Sequence, residues 1–237
     1  MKTHVKNLLE NLLGCTIVKN FPHGYNAFND MKKRLAEESF DVVFDVGAND
    51  GRSAVKFIKE FPNANIYCFE PVKSTFQELE TNMASTKQVK SFNFALGSSE
   101  GTASVEKDPT NNSRCNRLKV DSDTANDDET VTVKTLDNFC KNHAVSKIDF
   151  LKIDTEGFDL EVLKGSENYL REQKISFLQV EASMNPHNLK HIKFEEFKSF
   201  LESRGYVLFG IYDQTPEWSG EPRLRFSNPM FIAENLV

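Results

Sequence analysis

Short, almost unbroken apolar runs alternate along this chain with longer stretches whose apolar positions recur at helical spacing. Residues 42–46 form a β-branched and aromatic run that predicts a strand, and residues 53–61, beyond a glycine-containing bend, predict a helix. The unit repeats: residues 66–69 read as a strand and 74–83 as a helix with Ser74 at its N-cap. Residues 89–96, 148–153 and 175–180 supply a third, fourth and fifth strand, nearly continuous in apolar residues as strands buried on both faces tend to be. Phe194, Phe197, Phe200 and Leu201 then fall on one face of a late helix that packs on the sheet. Near the end of the chain, 206–212 and 230–233 read as strands separated by the turn-rich stretch 215–222, which predicts an antiparallel hairpin at a sheet edge. Strands alternating with helices imply right-handed βαβ crossovers, so the expected fold class is α/β, with a doubly wound, mostly parallel sheet.

Two segments stand outside this repeat. Residues 1–40 carry Leu8, Leu9, Leu12 and Leu13 at helical spacing, which predicts a helical extension docking on the core of a domain spanning 41–237. Residues 104–128 are polar and rich in Asn, Asp, Ser and Thr; a loop this long in a compact domain is usually functional or mobile, and it reads as a substrate-facing lid or as a solvated insertion.

Composition narrows the function classes. A chain of 237 residues is long enough for one α/β domain with a sizeable core. Against 35 Asp and Glu there are 29 Lys and Arg, for a net charge of -6 and no dense basic stripe, so nucleic acid is not an expected partner: neutralising phosphates needs clustered cations. Cys15, Cys68, Cys115 and Cys140 are isolated and fit reduced thiols in a cytoplasmic protein. No apolar run has the length of a membrane span or a signal peptide, so no membrane partner is expected.

The chemistry concentrates at strand ends. Gly47 and Gly51, in the bend after the first strand, lack a Cβ and let the backbone approach a ligand. Glu70 closes the second strand, where an acidic side chain accepts hydrogen bonds from both hydroxyls of a ribose. The stretch 93–97, at the end of the third strand, is placed to meet an adenine edge. The fourth strand runs out into Asp154 and Glu156, and Glu181 ends the fifth beside it. Carboxylates at such buried ends call for a partner. Asp154 and Glu181 as metal ligands can share an Mg²⁺ ion that lowers the pKa of a substrate hydroxyl, or one carboxylate can act directly as general base. His187 follows closely enough to serve as a further base or ligand.

Taken in order, Asp45-Val-Gly-Ala-Asn-Asp-Gly51, Phe69-Glu70-Pro71, Asn93-Phe-Ala-Leu-Gly97, Thr135-Leu136-Asp137, Leu151-Lys-Ile-Asp-Thr-Glu-Gly157 and Glu161-Val-Leu-Lys-Gly165 resemble the FkbM family of methyltransferases. The resemblance runs from about Asp41 to Glu181. It implies a seven-stranded class I methyltransferase sheet, S-adenosylmethionine as methyl donor, and O-methylation of a sugar or small natural product. It further implies that Asp45, Gly47, Asn49 and Gly51 line the methionine part of the cofactor, that Glu70 with Pro71 holds the ribose, and that Asn93 and Ala95 border the adenine. Asp154, Glu156 and Glu181 would then face the transferred methyl and the acceptor, with Asp154 touching the cofactor too. Two other readings stay open: a non-catalytic small-molecule or glycan-binding module on the same fold, and nicotinamide-dependent oxidation, from whose G-x-G-x-x-G pattern the spacing Gly47-x-Asn49-x-Gly51 departs.

Overall fold

A computed structural model describes residues 2–18, 20–35, 39–106, 117–119 and 129–237. In chain order the first half contains α1 (Lys2–Leu13), α2 (Ala27–Arg34), β1 (Val42–Val46), α3 (Arg52–Glu60), β2 (Asn65–Phe69), α4 (Lys73–Met83), β3 (Val89–Phe92), β4 (Ala95–Leu96), β5 (Gly101–Glu106) and β6 (Arg117–Lys119). The second half contains β7 (Glu129–Lys134), α5 (Leu136–Asn142), β8 (Ile148–Ile153), α6 (Asp159–Lys164), α7 (Glu167–Arg171), β9 (Ile175–Val180), β10 (Ala182–Ser183), α8 (Phe194–Glu202), β11 (Tyr206–Pro216) and β12 (Leu224–Ala233).

The main sheet runs β10-β12-β9-β8-β1-β2-β3, with β11 paired to β12. From β3 to β9 every pairing is parallel. The expected hairpin forms from β11 and β12, and β12 enters the sheet antiparallel to β9. Chain order reverses between β1 and β8, so the crevice at their carboxyl ends is the place where a doubly wound sheet binds ligands.

The apolar runs are continuous because both faces of the sheet are covered. Phe44, Val46, Leu151 and Ile153 pack into one core layer, and their alternating neighbours Val43 and Phe150, with Phe177 of β9, pack into the other. On the first face the ring of Phe139, from α5, meets Phe69 edge-on with centroids 4.8 Å apart. On the second, Phe28 of α2 packs edge-on against Phe57, Phe61 and Phe150. Of the late-helix face, Phe197 and Leu201 are fully buried and Phe194 and Phe200 half-buried.

Four expectations are corrected. The sheet has eight strands rather than seven, because the two-residue β10 adds to it, and a second sheet of order β4-β7-β5-β6 stands apart. The expected strand over 89–96 is split between the two sheets: β3 ends at Phe92, and the side-chain amide of Asn93 donates to the carbonyls of Glu70 and Pro71, which turns the chain toward β4. Ser74 is not the cap of α4; the amide of Val72 is bound by the Glu70 carboxylate and that of Lys73 by Glu129. Finally, α1 forms but its apolar face does not dock, with Leu8 68% and Leu12 78% exposed. Within residues 1–40 it is α2 that packs on the core, with Met31 fully buried.

Within 104–128, β5 and β6 pair as strands, while 107–116 and 120–128, including Cys115, lie outside the described residues. Among the described residues no helix is long and apolar enough to cross a membrane.

Several short sequence patterns turn out to be joints of the scaffold. Thr135 caps α5 through its hydroxyl, and the Asp137 carboxylate accepts the amides of Asn168 and Tyr169 at the start of α7. Gly165 closes α6 so near the second sheet that a Cβ there would lie 1.9 Å from the carbonyl oxygen of Gly97. Both partners in that contact are backbone, so neither can swing away. Gly165→Ala is therefore expected to destabilise the fold by about 2–4 kcal/mol, the range of severe overpacking, lowering the thermal midpoint by roughly 5–15 °C. A melting curve within about 2 °C of wild type would refute the backbone contact.

Candidate active site

β1 ends in the bend 47–51. Gly47 takes φ 81°, and its amide and that of Ala48 both donate to the carbonyl of Phe69 at 3.0 Å. A Cβ at Gly47 would lie 1.9 Å from the carbonyl oxygen of Asp154. The glycine thus admits the loop after β8, and it also lines the cavity between the strand ends. Gly51, at φ 90°, starts α3, and a Cβ there would press on Leu79 and Met83 of α4. Between them Asn49 sits in the left-handed region at φ 48°, a conformation asparagine tolerates better than most residues, and its side-chain oxygen accepts the Asp50 amide at 2.8 Å.

Glu70 joins this bend to the end of β2. One carboxylate oxygen accepts the Asn49 amide and the other the Val72 amide, each at 3.0 Å. Only 6% of the residue is exposed. Burial, outweighing the two amide bonds, pushes its pKa from 4.5 up to about 7.

A cavity of about 270 Å³ lies across the carboxyl ends of β1, β2 and β8. The bend, Glu70, Pro71, Ala95 and Leu96 wall one part, with Val105 and Leu118 reaching in from β5 and β6. Lys152, Asp154, Thr155, Glu156 and Glu181 wall another. Three expected cofactor contacts, Gly51, Asn93 and Asp45, are not on this wall. Asn93 spends its amide on the backbone of Glu70 and Pro71. Asp45 is fully buried behind the wall, 3.5 Å from the Lys152 ammonium through one oxygen, while its other oxygen has no hydrogen-bond partner. Burial raises the Asp45 pKa, with Lys152 opposing.

Lys152, to which the sequence pattern assigned no role, is the cation at the centre. Its ammonium is 3.0 Å from Asp154 and 13% exposed. Burial would lower its pKa, but Asp154 and Asp45 outweigh that and raise it, so the charge is held. The loop after β8 is braced by a second residue that sequence reading missed. Asp159, buried at the start of α6, accepts the Thr155 hydroxyl at 2.8 Å and the Gly157 amide at 3.2 Å. Burial, with Asp154 adding, lifts its pKa from 3.8 to about 6. The braced turn holds Glu156 at φ 56°, a strained geometry for that residue.

His187 is exposed, and the imidazole at the site is His191. Its Nε2 is 2.8 Å from Glu181 and 3.7 Å from Glu156, whose carboxylate is also 2.8 Å from Lys190. Donor atoms of Glu156, Glu181 and His191 all lie within 4.8 Å of one another, a group that Asp154 does not join. No periodicity points to His191; it arrives because the hydroxyl of Ser183 ties down the carbonyls of Asn185 and Asn188 and curls the segment back. Burial would lower the His191 pKa, but bonds to Glu156 and Glu181 outweigh it and lift it from 6.5 to about 9. The amide of Asn188 resists. It donates to Nδ1, and turning it over to receive a proton there would set its oxygen against the Arg225 carbonyl oxygen and its nitrogen against the Lys190 N–H. The bond geometry, which three partners fix together, decides for a neutral ring.

The profile of the Methyltransferase FkbM domain matches residues 45–208. The chain belongs to the FkbM family of S-adenosylmethionine-dependent methyltransferases. It is 30% identical over 171 residues to the hexuronic acid methyltransferase AglP of Haloferax volcanii, covering 70% of this chain and 67% of that protein. Identity to the 2-O-methyltransferase NoeI of Sinorhizobium fredii is 22% over 163 residues, 61% of this chain and 65% of that protein. The alignments thus span about two thirds of the length of these relatives. Among solved structures, TrmK of M. capricolum with S-adenosylhomocysteine overlays with a TM-score of 0.48 at 11% identity, across 86% of this chain and 67% of that one. In this FkbM-family chain the ordered sequence patterns surround one cavity or support its walls.

Because Glu70 has a folded pKa above its ordinary value, the stability it contributes is complete below pH 4.5 and is lost as pH rises through about 7. Without ligand, Glu70→Gln should gain on wild type by about 2–3 kcal/mol between pH 5 and pH 8 in urea melts. Identical pH slopes for the two proteins would contradict the buried-carboxylate origin of the shift.

Proposed function

We propose that this chain methylates a hydroxyl group of a sugar acceptor, with Glu181 taking the proton from that hydroxyl. The observation that carries the reading is that the Glu70 and Glu181 carboxylates wall the same cavity as the bend 47–51.

The residues present fit S-adenosylmethionine. Each Glu70 oxygen accepts one amide and keeps a lone pair for a ribose hydroxyl. Pro71, Ala95, Leu96, Val105 and Leu118 offer apolar surface suited to a flat base. Gly47, Asn49 and Lys152 would hold the methionyl end, where the Lys152 ammonium suits a carboxylate. Gly51 and Asp45 would act through the bend and through Lys152 without touching the cofactor. The bound cofactor supplies an electrophilic methyl on a sulfonium, which leaves alignment and proton removal to the chain. Glu181 is at the cavity and within hydrogen-bond distance of His191, so its carboxylate is oriented; burial raises its pKa above 4.5, which makes it a stronger base than a solvated glutamate. Asp154 keeps Lys152 in place, and Glu156 with Lys190 borders the acceptor side.

A sugar acceptor is supported by two relatives, one named for a hexuronic acid and one for 2-O-methylation. Mg²⁺ fits less well, because the Asp154 carboxylate is taken by Lys152 and the group that does converge includes an imidazole, while Mg²⁺ prefers oxygen ligands.

Two variants test the reading with labelled S-adenosylmethionine and hexuronic-acid glycans. Glu181→Gln should lower kcat by about 10²–10⁴-fold with the KM for S-adenosylmethionine unchanged. Glu70→Ala should weaken calorimetric binding of S-adenosylhomocysteine by roughly 10²–10⁴-fold, the loss of two charge-assisted hydrogen bonds. Full turnover in the first, or unaltered binding in the second, would rule out the assigned roles.

A further inference from the structure

We infer that Asn188 fixes the tautomer of His191, so that this histidine serves only to position Glu181 and is neither a base nor a metal ligand; the inference rests on the reading of Glu181 as the base. The side-chain amide of Asn188 touches three groups. Its oxygen accepts the backbone N–H of Lys190 at 3.1 Å, and its nitrogen donates to the carbonyl of Arg225 at 3.1 Å and lies 2.9 Å from Nδ1 of His191. A backbone N–H can only donate and a carbonyl can only accept, so these two partners decide which end of the amide is nitrogen. Nδ1 therefore meets an N–H and must accept it. A neutral imidazole that accepts at Nδ1 carries its hydrogen on Nε2, and Nε2 is 2.8 Å from the Glu181 carboxylate.

Both ring nitrogens are then spent. The ring is 5% exposed and packs against Phe226, with centroids 5.1 Å apart, so it has no face to offer an acceptor hydroxyl. A metal-binding histidine donates its second N–H outward to an acceptor, whereas His191 has a donor pressed on that nitrogen and a proton where the ion would bind. What remains is one N–H holding a carboxylate in place. Glu181 is the catalytic residue of the set; His191 and Asn188 are positioning residues.

The test reads the ring itself. In full-length protein with ¹⁵N-labelled histidine, long-range ¹H–¹⁵N correlation near pH 7 should show His191 protonated on Nε2 alone, with its shifts unmoved by equimolar Zn²⁺. Asn188→Asp, which replaces the donor by an acceptor, should bring a proton onto Nδ1. It should lower kcat about tenfold or more while leaving the KM for S-adenosylmethionine unchanged, and Asn188→Gln should recover less activity than the wild-type side chain supports. A wild-type ring protonated on Nδ1, whether neutral or cationic, or a zinc-induced shift at Nε2, would overturn the inference. Should the ring be as stated while Glu181→Gln turns over at the wild-type rate, the base assignment falls and the tautomer stands.

Discussion

The absence of one side chain, at Gly47, sets the spacing on which the cavity depends. The carbonyl oxygen of Asp154 stands 1.9 Å from where a Cβ would be, so the loops after β1 and β8 meet backbone to backbone. Real Cβ contacts of that length do not exist, and any other residue would drive the two loops apart. Because they are close, the bend that precedes α3 and the carboxylates that follow β8 open into the same space. The parallel register of β1 between β2 and β8 brings Val46 level with Phe69 and Ile153, so that the three strand ends form one rim.

The rim is heavily acidic, and its acids are held by partners. Asp45 and Asp154 share Lys152, Glu156 faces Lys190, and Glu181 receives a bond from His191. Two unit charges 4 Å apart at an effective dielectric near 20 interact by about 4 kcal/mol, and desolvation takes back much of that. The arrangement is accordingly a poor stabiliser of the fold and a good means of holding directions. Glu70 differs in that backbone amides bond its carboxylate, and burial raises its pKa.

Much of the site was legible along the chain. Glu70, Asp154, Glu156 and Glu181 were marked by their position at the ends of apolar runs, because a parallel strand buried on both faces can admit an acid only where it leaves the sheet. Lys152 was not. It lies within such a run, and its value appears only when β1 supplies Asp45 opposite it in the register. Asn93 and Asp45 were drawn into the cofactor wall by their neighbours, yet one bonds backwards to the chain and the other lies behind the wall. His187 was singled out for its nearness to the fifth strand, a distance along the chain that the curled segment makes irrelevant, since His191 is the imidazole at Glu181.

By itself the sequence determined the succession of strands and helices, the parallel sheet and the places where acids emerge, since these follow from periodicity and burial between near neighbours. It also carried the marks of its family in order. Only the tertiary structure decided that the expected third strand divides between two sheets, that α1 leaves its apolar face to solvent, and which histidine meets Glu181. Those outcomes turn on particular contacts: an amide against two carbonyls, a helix packed on a sheet face, a hydroxyl folding a loop. Local pattern has no term for such contacts, because each exists only once the sheet has brought its partners together.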